Sequence, residues 1–463
     1  MTAKVQLISP VDGRVYVERD LADAAQIEQA LTAAASAQAS WQRRSLSERA
    51  AFCSAAVDAM LSMQADIVPE LAWQMGRPVR YGAGELRGFA ERARHMIAIA
   101  PQALAAIEPE PKAGFQRYIK REPLGTVLVV APWNYPYLTA VNTVIPALMA
   151  GNSVILKHAS QTLLVGERFT EAMRRAKLPE GLFQNLLLDH VSTGAIIADG
   201  RVQQVNFTGS VEAGKVMESA ASGQFLGMGL ELGGKDPAYV RADANLEHAV
   251  ENLVDGSFFN SGQSCCAVER IYVDQKIYPV FVERFAELTR QYVLGNPLDE
   301  ATTLGPLVTP GAAFFVRGQI AEALAQGAKA LIDPKSFPPD VPGSAYLAPQ
   351  VLVDVNHQMS VMRDESFGPV VGIMPVASDE EAIALMNDSE FGLSASIWTQ
   401  DLAAAERLGN EIATGTVFMN RCDYLDPALA WTGVKNSGRG VTLSPLGYEH
   451  LTRAKSFHLR HEV

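Results

Sequence analysis

Between residues 125 and 207 the chain alternates short, wholly apolar runs with helical stretches, and no other feature constrains its fold as tightly. Gly125-Thr-Val-Leu-Val-Val-Ala131 is a continuous β-branched run, the mark of a strand covered on both faces. A helix over Leu138–Met149 follows, then a strand over Ser153–Leu156, a helix over Leu163–Ala176, and strands over Gln184–Leu188 and Val202–Phe207. Strands that alternate with helices imply a parallel sheet with helices on both faces. A second alternating section begins near Asp236–Val240 and carries strand Arg270–Val273, helix Pro279–Tyr292, strand Val370–Pro375 and strand Val417–Asn420. The boundary between the sections falls at Gly233-Gly234. The expected fold class is α/β, with two doubly wound parallel-sheet domains.

The flanks read differently. Val5–Val17 predicts two short strands around an Asp12-Gly13 turn. Helices are expected over Ala22–Trp41, over Glu48–Met63 with Ser47 as its N-cap, and over Tyr81–Ile99, where Pro101 and the Pro109/Pro111 pair interrupt. Phe115–Arg121 and Lys455–Arg460 read as exposed edge strands, and unpaired edges invite pairing with another chain.

Composition removes several classes of function. A net charge of −12 lacks the basic footprint that nucleic acid demands. The most apolar segment, Thr126–Trp133, is far too short to span a bilayer, and Met1–Tyr16 has no apolar stretch resembling a signal peptide. Only four cysteines occur (Cys53, Cys265, Cys266, Cys422), without a CxxC pair or the Cys/His spacing of a zinc site. So few thiols in 463 residues point to a reducing compartment, and the expected location is the cytoplasm, with no metal, membrane or nucleic-acid partner.

Four segments carry candidate chemistry. Asn260-Ser-Gly-Gln-Ser-Cys265 places a thiol after a glycine-containing turn, where backbone N–H groups lower its pKa and hold an oxyanion. A lone cysteine is nevertheless more often a buried structural residue. Glu231-Leu-Gly-Gly-Lys235 sets a carboxylate beside a glycine pair, able to serve as a general base or to stand in an ordinary turn. Phe207-Thr-Gly209-Ser210 joins a strand to a helix, a place where helix N–H groups receive phosphate, although its glycine spacing is not GxGxxG. Pro132-Trp133-Asn134 ends the first buried strand, where ligands of open α/β sheets collect, and an Asn amide there can donate to an oxyanion.

Together with Glu365-Ser-Phe-Gly-Pro369, Leu304-Gly-Pro-Leu307 and Gly433-Val-Lys-Asn-Ser-Gly438, these segments resemble the aldehyde dehydrogenase superfamily in the family's own order, over essentially the whole chain. The resemblance implies a cofactor-binding domain over 1–103 and 122–233, a catalytic domain over 234–440, and a small β oligomerisation arm over 104–121 and 441–463. It implies oxidation of an aldehyde to its acid with NAD or NADP. Cys265 is then the nucleophile that forms a thiohemiacetal and thioester, Asn134 the oxyanion donor, and Glu231 the base for the hydrolytic water. Trp133, Lys157, Ser160, Gly209, Ser210, Leu232, Glu365 and Phe367 fall at its cofactor positions. A homodimer or homotetramer, its arms paired across subunits, is implied as well.

Departures from the family pattern carry information. Ser160 stands where NAD-preferring relatives commonly hold a glutamate, so a 2′-phosphate is not repelled, and His158 offers a further donor. Glu231 favours water over coenzyme A as acyl acceptor; a coenzyme A-acylating enzyme and a catalytically silent binding protein of the same fold are the alternatives. Phe259 and Asn142 replace the arginines of succinate-semialdehyde dehydrogenases, and Tyr135, Phe259, Tyr424 and Trp431 instead give a mostly apolar or aromatic substrate pocket. Arg421-Cys-Asp423 either reaches the pocket and marks an unusual substrate or forms a surface ion pair, the second reading being the favoured one.

Overall fold

A computed structural model describes residues 3–462. The chain opens with an antiparallel hairpin, Lys4–Ile8 against Val15–Asp20, as the Asp12-Gly13 turn predicts. Four helices follow: Ala24–Trp41, Leu46–Leu61, Gln64–Met75 and Val79–Ala103. The second is capped by Ser45 rather than Ser47. Ser45 has Glu48 three residues on, and the two bond reciprocally to each other's backbone N–H, an arrangement Ser47 cannot make. Pro101 does not interrupt the fourth helix, which runs on to Ala103. The lost N–H sits in the final turn, and burial of Leu86, Phe89, Ala93, Met96 and Ala100 along one face outweighs it.

Two parallel sheets form the centre. In the first, the spatial order is Gly438–Arg439, Gly227–Glu231, Gln204–Thr208, Thr126–Val130, Ser153–Lys157 and Phe183–Asn185; only the edge strand Gly438–Arg439 is antiparallel. All five residues of Thr126–Val130 are buried, as expected of a strand sandwiched between helices. The strand expected over Gln184–Leu188 is shorter and earlier, Phe183–Asn185, because the chain turns away after one bond from Leu186 N–H to the Leu156 carbonyl.

The second sheet runs Lys329–Ala330, Gln350–Val353, Val370–Val376, Val268–Asp274, Asp236–Val240, Ser394–Trp398 and Thr416–Met419, with only Lys329–Ala330 antiparallel. Ser394–Trp398 is fully buried despite two serines. Its first N–H and hydroxyl bond to the Asp236 carboxylate, satisfying polar groups that would otherwise penalise burial.

Phe115–Pro123 and Thr452–Arg460 pair with each other, antiparallel over nine residues each, within this one chain. This corrects the expectation of two unpaired edges: Tyr118 stacks on Phe457 (ring centroids 4.6 Å apart) and Phe115 on His458 (4.9 Å), cross-strand contacts between segments too distant in sequence to be matched by pattern. No single helix among the described residues is long and apolar enough to cross a membrane.

Candidate active site

In the first sheet, the strand order reverses beside Thr126–Val130: later strands add first on one side, then on the other. Such switch points leave a crevice at the C-terminal strand ends. A cleft of about 850 Å³ lies there. Its wall is built from the residues that follow each strand: Ala131–Tyr135, Lys157, Thr208–Ser210 and Glu231–Gly233. Cys265, Glu365 and Phe367 line the same space from the second sheet's side.

The thiol loop is shaped by three successive left-handed residues, Asn260 (φ 53°), Ser261 (φ 59°) and Gly262 (φ 70°), after helix Leu246–Phe258. Gly262 is required twice over, since a Cβ there would also strike the Gly368 carbonyl. Gly234 plays the matching part opposite, where a Cβ would collide with the Cys265 carbonyl. These close approaches bring the Glu231 segment against the thiol loop.

Asn134 is buried, and its Nδ2 donates to the Gln263 carbonyl at 3.2 Å, two residues from Cys265. Its position is set by Arg77, which sequence reasoning missed. The Arg77 guanidinium donates to the Asn134 carbonyl, to Asn260 Oδ1 (3.2 Å) and to Glu85, and lies over the Tyr135 ring. Glu85 in turn accepts the Tyr137 and Leu138 N–H groups (2.9 and 3.0 Å), capping the first turn of helix Pro136–Ala150. Glu231 accepts hydrogen bonds from Thr442 Oγ1 (2.6 Å) and Thr208 Oγ1 (3.3 Å), while burial raises its pKa above the ordinary glutamate value.

A second buried pair was missed too, although charged residues inside the strand Val268–Asp274 signalled a need for partners. Lys235 Nζ lies 2.5 Å from Glu269 Oε2, and Glu269 accepts the Ser366 and Phe367 N–H groups, both at 2.9 Å. That carboxylate fixes the loop on which Glu365 and Phe367 stand. Glu365 Oε1 accepts the Gly234 N–H at 2.9 Å, and burial pushes the Glu365 carboxyl up to about 7. Phe367 meets Trp133 edge-on, with ring centroids 5.6 Å apart.

At the far end, burial lowers the Lys157 pKa, and Ser210 caps helix Val211–Ala220 through Ala213 N–H (3.3 Å). Gly209 and Leu232 line the cleft beside it. Ser160 is exposed and stands outside the lining. His158 is no ligand donor: its ring nitrogens are taken up by the Pro136 carbonyl, Ala159 N–H and Thr162, and burial pushes its pKa down to about 4.

Tyr135, Phe259, Tyr424 and Trp431 all line the other end of the cleft, but so do Arg87, Glu91, Arg92, Asp255 and Asp423. Arg87, Glu91 and Arg92 reach it from helix Val79–Ala103, a part of the sequence with no motif, and stand beside the aromatic side chains. The surface ion pair favoured for Arg421 and Asp423 does not form, and Asp423 lines the cleft, the other reading of that segment. Asp423 points inward, accepting from Ser264 Oγ at 3.1 Å and Cys266 Sγ at 2.9 Å, and Arg421 lies over the Tyr424 ring instead of pairing with it.

A cleft at a switch point, lined by an ammonium together with a thiol, an amide and a shielded carboxylate, has the groups that a nucleotide-dependent oxidoreductase can use. The Aldehyde dehydrogenase family model matches residues 1–457, and the chain belongs to that family. It is 35% identical over 455 residues to an aldehyde dehydrogenase of Paenarthrobacter nicotinovorans, covering 98% of this chain and 99% of the relative. It is 36% identical over 412 residues to an NADP-dependent succinate-semialdehyde dehydrogenase of Mycobacterium avium, covering 88% and 86%. The solved aldehyde dehydrogenase of Brucella melitensis superposes with a TM-score of 0.95 at 27% identity, covering 100% of this chain and 95% of that one. The NAD+ complex of Staphylococcus aureus betaine aldehyde dehydrogenase gives 0.92 at 26% identity, covering 100% and 92%. The chain is thus an NAD(P)-dependent enzyme that oxidises an aldehyde to its carboxylic acid.

Proposed function

We propose that Cys265 is the nucleophile of this oxidation, Asn134 the side-chain oxyanion donor and Glu231 the hydrolytic base. The observation that carries this reading is their meeting in one cleft whose other end has the donors a dinucleotide needs. The donor set there fits NAD(P): the Lys157 ammonium and Glu365 carboxylate suit ribose hydroxyls, and Gly209, Ser210 and the helix that Ser210 caps suit the pyrophosphate. Trp133, Leu232 and Phe367 would pack along the same ligand. Bound there, the cofactor supplies the hydride acceptor.

Cys265 adds to the aldehyde carbonyl, and the alkoxide that forms is held by Asn134 Nδ2 and the Cys265 N–H. Loss of hydride from that tetrahedral carbon leaves a thioester on sulfur. Glu231 then takes a proton from water, which attacks the thioester and releases acid and thiol. Tyr135, Phe259, Tyr424 and Trp431 would enclose the aldehyde's substituent. Acceptance of NADP is supported by Ser160, uncharged and exposed next to the Lys157 strand. Assembly into a homodimer or homotetramer is supported by the arm of Phe115–Pro123 and Thr452–Arg460: the outer edge of Thr452–Arg460 pairs with no other strand, while that of Phe115–Pro123 is met at Ile119 by Ile107. Four free cysteines support a reducing, cytoplasmic setting.

The test is reduced-nicotinamide absorbance with aliphatic, aromatic and carboxylated aldehydes, comparing wild type with Cys265→Ala. Turnover by the wild type alone supports the assignment; equal turnover by the variant refutes it.

A further inference from the structure

Cys265 stands between two residues that share one acceptor. Ser264 Oγ and Cys266 Sγ both donate to Oδ1 of Asp423, at 3.1 and 2.9 Å. Asp423 lies 157 residues beyond Cys266 in sequence and comes from the segment that follows strand Thr416–Met419 of the second sheet.

That segment is held on both sides of Asp423. Before it, Asn420 exchanges hydrogen bonds with Thr399 (3.0 and 2.8 Å), and its carbonyl meets His248 Nε2 at 3.0 Å. Cys422 sits against helix Leu246–Phe258, donating to the Asn252 carbonyl at 3.4 Å, where a Cβ on Gly256 would displace its sulfur. After it, Tyr424 Oη donates to Glu91 at 3.0 Å. Asn420 (φ 52°) and Asp423 (φ 48°) themselves adopt left-handed backbone, a conformation that costs energy and persists only where the surroundings enforce it.

We propose that Asp423 is a positioning residue for the nucleophile: by accepting from both neighbours of Cys265, it holds the loop so that the Cys265 sulfur faces the cleft and the Cys266 thiol stays tied to the carboxylate. Cys266 is buried in the core of the first sheet's half, and the adjacent Cys265 thiol together with burial raises its pKa well above that of an ordinary cysteine. Two adjacent thiols would otherwise compete for the aldehyde, and the shared acceptor separates their roles. An ionised carboxylate accepts both bonds on one oxygen; a protonated one is a poorer acceptor. Burial pushes the Asp423 carboxyl up to about 6. Asp255 on helix Leu246–Phe258 raises it further, whereas Ser264, Cys266 and Arg92 of helix Val79–Ala103 lower it. Tyr135, at the start of the next helix, faces the same group. The acceptor therefore weakens as pH falls through that region.

The inference rests on Cys265 being the nucleophile, and the experiment keeps the two apart. Wild type, Cys265→Ala, Asp423→Ala and Asp423→Asn are compared by kcat, KM and pH profile, and by mass-spectrometric mapping of iodoacetamide labelling. Asp423→Asn keeps an acceptor oxygen without a titrating group. The expected result for Asp423→Ala is a fall of roughly 10²-fold in kcat, the scale of a misplaced reacting group, with aldehyde KM within about threefold of wild type. Labelling should spread from Cys265 to Cys266. Asp423→Asn should recover most of kcat and lose the part of the acid limb near pH 6 that Asp423 sets, leaving the part set by Glu231. An Asp423→Ala enzyme with wild-type kcat and labelling confined to Cys265 would overturn the proposal, as would Asp423→Asn failing as badly as Asp423→Ala. Wild-type activity that survives in Cys265→Ala would instead overturn the nucleophile assignment.

Discussion

Replacing Arg77 by Met removes the one cation that holds Asn134, Asn260 and Glu85 together. The side chains of Arg77 and Glu85 are 2% and 0% exposed, so neither can recover its lost bonds from water. After the change, Glu85 keeps the Tyr137 and Leu138 N–H groups and the more distant charge of Arg92, but loses its hydrogen-bonded countercharge. Breaking a buried pair in this way costs about 3–5 kcal/mol. Asn260 Oδ1 loses its donor in the same step, at about 1–3 kcal/mol for an acceptor left bare, while the Asn134 carbonyl keeps only the 3.3 Å bond from Asn260 Nδ2. Equilibrium urea unfolding followed by tryptophan fluorescence measures the sum. The double replacement Arg77→Met with Glu85→Met removes the orphaned carboxylate too, so most of the stability should return. Activity should not return, because Asn134 still lacks its anchor, and loss of an oxyanion donor alone costs roughly 10²–10³ in kcat. The reasoning fails if the single variant unfolds within about 1 kcal/mol of wild type, or if the double variant is no more stable than the single.

Three further outcomes are expected. Glu231→Gln should retain a burst of reduced cofactor while steady-state turnover falls roughly 10²–10⁴-fold, since hydride loss precedes the step that needs the base; stopped-flow absorbance separates the two, and loss of the burst contradicts the assignment. Glu231 acts only when ionised and its pKa is raised, so turnover should decline as pH falls through that raised value. The Thr442 hydrogen bond lowers this pKa, so Thr442→Val should move the acid limb upward; a limb that stays put or moves down counts against it. Ser160→Glu should reduce kcat/KM for NADP by about tenfold or more relative to NAD, each 1.4 kcal/mol of repulsion being a factor of ten; an unchanged ratio in cofactor titration removes Ser160 from the account.

The two sheets were readable because their strands, like Thr126–Val130, are apolar on both faces and bounded by turn residues. The proposed reacting groups stood out because glycine-rich turns surround them, as Gly262 and Gly234 show where backbone crowding leaves no alternative. Their supports did not. Arg77 meets Asn260 across 183 residues, and Asp423 meets Cys266 across 157, distances over which local periodicity carries no information. One signal was available: Glu269-Arg270 puts two charges inside the buried strand Val268–Asp274, and charges inside a strand must be paired. The arm strands were recognisable as edges but not as each other's partner, because pairing is a property of the closed fold.

The strand Gly438–Arg439, which closes the edge of the first sheet, also dictates when the enzyme can begin to work during its own synthesis. Glu231 and Thr442 are 211 residues apart. At roughly 5–20 residues per second, a ribosome needs about 10–40 s to deliver the second after the first. Throughout that interval the nascent first sheet ends in Gly227–Glu231 with its outer edge open, a template for pairing with neighbouring nascent chains. Chain termination after Cys265 and before Gly438 would therefore release a protein carrying its thiol loop, a Glu231 without its Thr442 partner and an adhesive edge. Quality control has to intercept that product as an aggregation risk, whatever its residual chemistry.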